Sequence, residues 1–227
     1  MTISIDAWVE AAFDKDGANL AQLINGLPPS SMQSTAASLA QNSKLEMRVQ
    51  ALHLVSQDHS NGGAPELGRT IAIAGIRICE RAYELHGPGT AETFLFGFRW
   101  FAIDAHRAYD RMGRRADQIA IVENALAWLK ARDAEERCLV DLRFARIEAL
   151  IELGRLEEAR EGLREGHLAP RGIDHGKPGA GSVFALGARP LVIVVHQRNG
   201  GLSRGGGRDS GEQVRKPIFH MRLSPFA

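Results

Sequence analysis

The sequence predicts an all-α fold: antiparallel helix pairs stacked as a short α-solenoid, with a C-terminal segment that does not belong to it. Three observations predict this. Apolar residues recur at i, i+3 and i+4 over most of the first 170 positions, which is the helical period. Gly113 and Gly154 punctuate that pattern in the same way, 41 residues apart. Charge is also split along the chain. Residues 1–170 carry 19 Lys+Arg against 24 Asp+Glu, whereas residues 171–227 carry 9 against 3. A mildly acidic helical-repeat domain over 1–168 is therefore expected to precede a basic, Gly/Arg-rich and mostly disordered tail over 169–227.

The elements follow in order. Ile5 to Phe13 places Trp8, Val9 and Ala12 on one side of a short helix, which Gly17 ends. Asn19 to Asn25 makes a second, closed by Gly26-Leu27-Pro28-Pro29. Ser30 or Ser31 can cap a third, through Ala36, Ala37 and Ala40. Leu45 to Gln57 spaces Val49, Leu52 and Val55 helically, and Ser60 to Pro65 reads as a loop because glycine pairs and proline punctuate helices. Ile71, Ala74, Ile78, Ala82 and Leu85 keep the rhythm until Gly87-Pro88-Gly89. The next helix is the most apolar. Phe94, Phe98, Phe101, Ala105, Ala108 and Met112 form one stripe with Leu95, Phe96 and Trp100 beside it, so this helix is expected to be central, with Phe94, Phe98, Trp100 and Phe101 at the middle of the core. Gly113 ends it. Ala116 to Lys130 continues with Ile119, Val122, Leu126 and Leu129. Asp133 and Glu136 have capping-box spacing before Leu139, Leu142, Phe144, Ile147 and Ile151. Gly154 ends that helix, and the last runs from Arg155 to Arg164.

The two glycines mark a repeat. Each is preceded at four residues by an apolar side chain and followed by arginine, in YDRMGRR and LIELGRL, and Val122 and Leu163 each lie nine residues past their glycine. One apolar stripe per pair is too broad to bury alone, and stacking pair on pair solves that. Residues 135–170 resemble a tetratricopeptide repeat: Gly154 at the interhelix turn, Ala159 five residues on, Leu163 a turn later, and Pro170 near the end. Gly166 stands where that family commonly has alanine and Arg143 where it has tryptophan, and the interval exceeds its repeat of about 34 residues. The resemblance implies a TPR-like stack that binds a peptide or a partner protein in a groove. The helical stretch is also similar to the non-catalytic front part of larger bacterial repeat proteins that carry caspase-like domains. That similarity implies an alternative, a regulatory N-terminal fragment of an enzyme whose catalytic domain is absent.

The tail reads differently. Eleven of the 24 glycines fall in 171–227, and GLSRGGGRDSG cannot bury enough apolar surface to offset its chain entropy. LVIVVH at 191–196 has strand composition without an evident partner strand, and a lone strand is not a stable element. The segment reads as an extended appendage, as a truncated or out-of-frame continuation of a longer protein, or as an Arg/Gly nucleic-acid binder. Arg198 to Arg208 holds no aromatic for base stacking, which disfavours nucleic acid.

No motif carries chemistry. His53 and His59 are six apart rather than four, no HExxH occurs, and Asp104 and His106 point to different helix faces. Neither GPG nor GGG leads into a phosphate-binding lysine. Cys79 and Cys138 sit alone in apolar helical patterns, as reduced core residues. The N-terminus lacks the features of a signal peptide and no apolar run spans a bilayer, so a cytoplasmic location and no membrane association are expected. The expected function is thus non-catalytic protein–protein interaction, with no cofactor and no metal. The expected binding surface comprises Arg99, His106 and Arg107 from the helix before Gly113, with Arg143 and Arg146 from the helix before Gly154. A mostly cationic groove of this kind selects an acidic peptide through arginine–carboxylate contacts. The competing expectation is that these arginines merely pair with Asp104, Asp110, Asp141 and Glu148.

Overall fold

The computed structural model describes residues 3–87, 91–165, 182–186 and 189–193. The chain divides into two units, Met1–Gly166 and His167–Ala227. Among the described residues the first holds nine helices: α1 (Ile5–Phe13), α2 (Ala18–Asn25), α3 (Gln33–Ala40), α4 (Leu45–Asn61), α5 (Pro65–His86), α6 (Ala91–Arg111), α7 (Arg115–Lys130), α8 (Glu136–Glu152) and α9 (Leu156–Glu165). In the second unit β1 (Ser182–Leu186) pairs antiparallel with β2 (Arg189–Ile193), Ser182 opposite Ile193 and Leu186 opposite Arg189. The described part of the apolar run at 191–196, residues 191–193, therefore does have a partner strand. SVFAL was overlooked because serine and alanine dilute its strand signal. The rest of the expected disordered tail lies outside the described residues.

Local chemistry sets the helix ends. Ser4 caps α1, its hydroxyl accepting from the Ala7 amide at 3.2 Å. The opposite end of α1 is closed by a side chain remote in sequence. Arg48, buried in α4, donates to the Ala12 and Lys15 carbonyls at 3.0 Å each, to Asn42 O at 2.7 Å, and to Asp14 O. One guanidinium thereby satisfies carbonyls that the ends of α1 and α3 leave open, and binds both helices to α4. Neither Ser30 nor Ser31 caps α3. Asp58 of α4 does so instead, accepting from the Ser31 hydroxyl at 3.1 Å and the Met32 amide at 3.3 Å. Pro65, read as loop, is the first residue of α5, where its missing N–H costs nothing.

The turns after α6, α7 and α8 share one hydrogen-bond pattern. At the first, Gly113 N–H donates to Asp110 O and Arg114 N–H to Tyr109 O; at the last, Gly154 donates to Ile151 O and Arg155 to Leu150 O. This is the Schellman motif, and it requires a left-handed residue at its apex. Gly113 and Gly154 have φ of 68° and 73°. The middle turn has the same bonds, Asp133 to Lys130 O and Ala134 to Leu129 O, with Asp133 at φ 49°. Asp133 is therefore the stop of α7. The capping-box reading fails: α8 begins at Glu136, with Glu135 as its flanking residue and no side-chain cap.

Packing centres on α6, which touches α4, α5, α7 and α8. Phe94, Phe98 and Phe101 are buried as expected. Trp100 is only half-buried, and Leu85 is 63% exposed at the end of α5. Phe101 fills a notch in α5 at Gly75, and Phe98 stacks on Trp128 of α7 at 4.0 Å between ring centroids. Both cysteines are buried and unpaired. No helix among the described residues is long and apolar enough to cross a membrane.

The shared turn motif predicts a shared cost. Gly113→Ala and Gly154→Ala should each lose about 1–2 kcal/mol, since nothing surrounds either position and only the left-handed conformation opposes a side chain. Asp133→Gly should gain roughly 0.5–1 kcal/mol for the same reason. Urea denaturation of the three variants checks both signs.

Candidate functional site

Helices α4, α6 and α8 run parallel, each pinned to the next by polar side chains. Between α4 and α6, His53 Nδ1 lies 2.9 Å from Asp104 Oδ2, and the His53 ring stacks on Trp100 at 5.0 Å. Asp104 is fully buried, so its carboxylate is held by the imidazole while Oδ1 finds no protein partner. Between α6 and α8 two direct contacts follow in register, and Arg115 of α7 bridges the two helices at the far end. Arg137 pairs with Glu92, Arg99 with Asp141 at 2.9 Å, and Arg115 with both Asp110 and Glu152.

This register decides where the expected binding residues go. At 100° per residue, Asp141, Ala145, Glu148 and Glu152 share the α6-facing side of α8, and Arg143 and Arg146 lie roughly 140–200° around from Asp141. The five residues therefore do not line one groove. Arg99 faces α8, bonded to Asp141 and lying over the Phe96 ring at 5.2 Å. Arg107 is exposed and acts electrostatically on Glu148. His106 is 5% exposed and turned toward α7, which removes it from any surface.

The surroundings of His106 explain its burial. Arg115 donates to Gln118 Oε1 at 2.9 Å, which turns the amide nitrogen of Gln118 toward His106 Nε2 at 3.4 Å. Burial lowers the His106 pKa, aided by Arg107 and Arg115, and outweighs the opposing effects of Gln118 and Asp110. His59 is lowered as well, by burial against the opposing charge of Asp58.

Arg143 and Arg146 do come together. With Lys130 they rim a cleft of about 410 Å³ over α8, between α7 and α9, whose floor is Leu126, Ala127, Ile147 and Gly162. This is the small end of the range for ligand-sized clefts, about 300–1,000 Å³. Arg146 donates to Glu123 of α7 at 3.0 Å and Arg143 to Glu136 of its own helix, both acceptors being well exposed. Pairs this wet contribute about 0–1 kcal/mol, so a carboxylate from outside can replace Glu123 or Glu136 at little cost. The expectation that these arginines pair internally holds for Arg99 with Asp141, and also for Arg143 and Arg146, whose partners are Glu136 and Glu123 rather than those expected. Asp104 instead pairs with His53, and Asp110 with Arg115. Lys130, Glu123 and Gly162 were missed by sequence reasoning because they belong to the flanking helices. The i, i+4, i+7 spacing of Glu123, Ala127 and Lys130 on α7 is the signal that could have found two of them.

No family model, no curated protein and no solved structure matches the chain.

The depressed histidines predict a pH response. A base whose folded pKa lies below its unfolded value, about 6.5, adds stability that is complete above that value. The contribution is lost as pH falls through 6.5 toward the folded value, because the unfolded chain binds the extra proton. Glu80, Glu148 and Glu152, raised chiefly by burial, act with the opposite sign, so a comparison of variants isolates the histidine. His106→Asn should lower stability at neutral pH and flatten its fall between about pH 7 and 5. Denaturant midpoints across that range check it, and a slope equal to wild type would contradict it.

Proposed function

We propose that this chain is a non-catalytic protein–protein interaction module of tetratricopeptide-like type, and that it holds an acidic peptide segment of a partner in the cleft between α7 and α9. The reading rests on one observation above all: Lys130, Arg143 and Arg146 converge above an apolar floor. An acidic side chain meets two guanidiniums that can each bind it bidentately, and a neighbouring apolar residue of the same peptide covers Leu126 and Ile147. The mechanism is recognition alone, with no bond made or broken.

Two further features support the tetratricopeptide-like part of the reading. The helix pairs α6–α7 and α8–α9 are each joined by the same turn, and α4, α6 and α8 pack side by side with α5 and α7 behind them. Two buried, unpaired cysteines fit a reducing compartment such as the cytoplasm.

The test is panning of a random peptide library on the whole chain, with the double variant Arg143→Glu/Arg146→Glu panned in parallel. Wild type should enrich sequences that combine Asp or Glu with Leu or Phe, and their binding should weaken with salt. The double variant should lose that set. Enrichment of the same peptides on both proteins, or of sequences without acidic residues, would overturn the proposal.

A further inference from the structure

The cleft between α7 and α9 carries more positive charge than its own carboxylates use. Lys130 is exposed on its rim and pairs with no carboxylate among the described residues. Arg146 bonds Glu123 through Nε alone, and its Nη1 lies 3.4 Å from where a Cβ on Gly162 would stand. Glycine at that position of α9 leaves room for the guanidinium, whose two terminal nitrogens bond nothing among the described residues. Arg143 gives both of its terminal nitrogens to Glu136. These partners are wet: the side chain of Glu136 is 62% exposed and that of Glu123 is 44% exposed. Glu158 of α9 also feels Arg146 but is held by Arg155.

What such a rim binds best follows from the exchange it must make. A carboxylate that displaces Glu123 or Glu136 replaces one solvated ion pair by another of equal charge, and such pairs are weak. The net gain is small. A phosphate monoester carries a charge of about −1.5 to −2 at neutral pH and three acceptor oxygens. Arg143 and Arg146 stand three residues apart on α8, which puts their Cβ atoms about 5–6 Å from each other. Both guanidiniums can therefore close on one phosphate through paired N–H donors, and Lys130 supplies the third cation. The dianion gains over both internal glutamates at once.

We propose that the acidic residue held in this cleft is a phosphoserine or phosphothreonine of the partner peptide. The inference rests on the cleft reading above and adds the chemical class of its ligand. Short phosphorylated side chains fit because the cations stand at the rim while buried Leu126 and Ile147 form the floor. The phosphate stays at the mouth and a neighbouring apolar side chain enters. A phosphotyrosine ring laid on that floor would carry its phosphate past the cations. Before a peptide arrives, Glu123 and Glu136 hold the two guanidiniums in place, so they compete with it.

The test uses the whole chain and a degenerate peptide library with one fixed phosphothreonine. Enriched sequences are made with phosphothreonine, threonine or glutamate at the fixed position and titrated by fluorescence anisotropy. The phosphorylated form should bind at least about tenfold tighter than the glutamate form at pH 7.5. That ratio should narrow toward pH 5.5, as the phosphate takes up its second proton near pH 6; no histidine lines the cleft to imitate this. Lys130→Gln should weaken the phosphorylated form more than the glutamate form, and Glu123→Gln should strengthen it, a gain that misfolding cannot produce. Glutamate peptides binding as tightly as phosphorylated ones would overturn this inference and leave the acidic-peptide reading standing. Failure of both forms to bind would overturn both. Phosphate-dependent binding that survives Arg143→Glu/Arg146→Glu, or that inorganic phosphate displaces as well as unlabelled phosphopeptide does, would also overturn the inference.

Discussion

The interlock of Phe101 with Gly75 is the constraint on which the rest of the helical unit depends. Phe101 is fully buried, and its ring occupies the space that a side chain at position 75 would need. The two longest helices, α5 and α6, can lie this close only because one of them lacks a Cβ there. Fixing α6 in that notch fixes its rotation about its own axis. Phe98 then meets Trp128 of α7, Asp104 and Trp100 meet His53 of α4, and Arg99 meets Asp141 of α8. Four neighbours are thus positioned by four faces of one helix, which is why the sequence makes it the richest in aromatic side chains.

The surfaces are consequences of that rotation. With Asp141 turned to α6, Arg143 and Arg146 must face the other way, toward α7 and α9, and the cleft follows. Val140, Phe144 and Ile151 are left on the remaining side of α8. The one helix therefore presents a polar seam, a cationic cleft rim and an apolar strip. Charge within the seam is largely neutralised by exposed or half-exposed partners, which contribute little to stability. Arg48, by contrast, is a buried charge, held on the carbonyls at the end of α1.

Much of the fold was legible in the sequence, and the parts that were not share a cause. Helix positions follow from a local signal, the 3.6-residue period, and Gly113 and Gly154 announced their turns because only glycine takes a left-handed backbone freely. Asp133 adopts the same conformation but has the composition of a helix start, so the local rule pointed the wrong way. Arg48, Asp58 and the Phe101 notch act over long sequence separations, which no periodicity encodes. The candidate site suffered most. Choosing Arg99, His106, Arg107, Arg143 and Arg146 needed the rotation of α6 and α8, and that is set by Gly75 and by the Arg99–Asp141 pair. Knowing that a helix is inner does not tell which of its polar residues face the groove.

The sign of one substitution tests the interlock most directly. In an exposed helix, Gly→Ala stabilises by about 1 kcal/mol because alanine restricts the unfolded chain and favours helix. At Gly75 the new methyl group would fall inside the surface of a buried ring that has no free space to enter. Gly75→Ala should therefore destabilise, by about 1–3 kcal/mol as for other overpacked cores, and Phe101→Leu introduced with it should recover part of the loss. Chemical denaturation that showed Gly75→Ala to be as stable as wild type, or more so, would contradict the account.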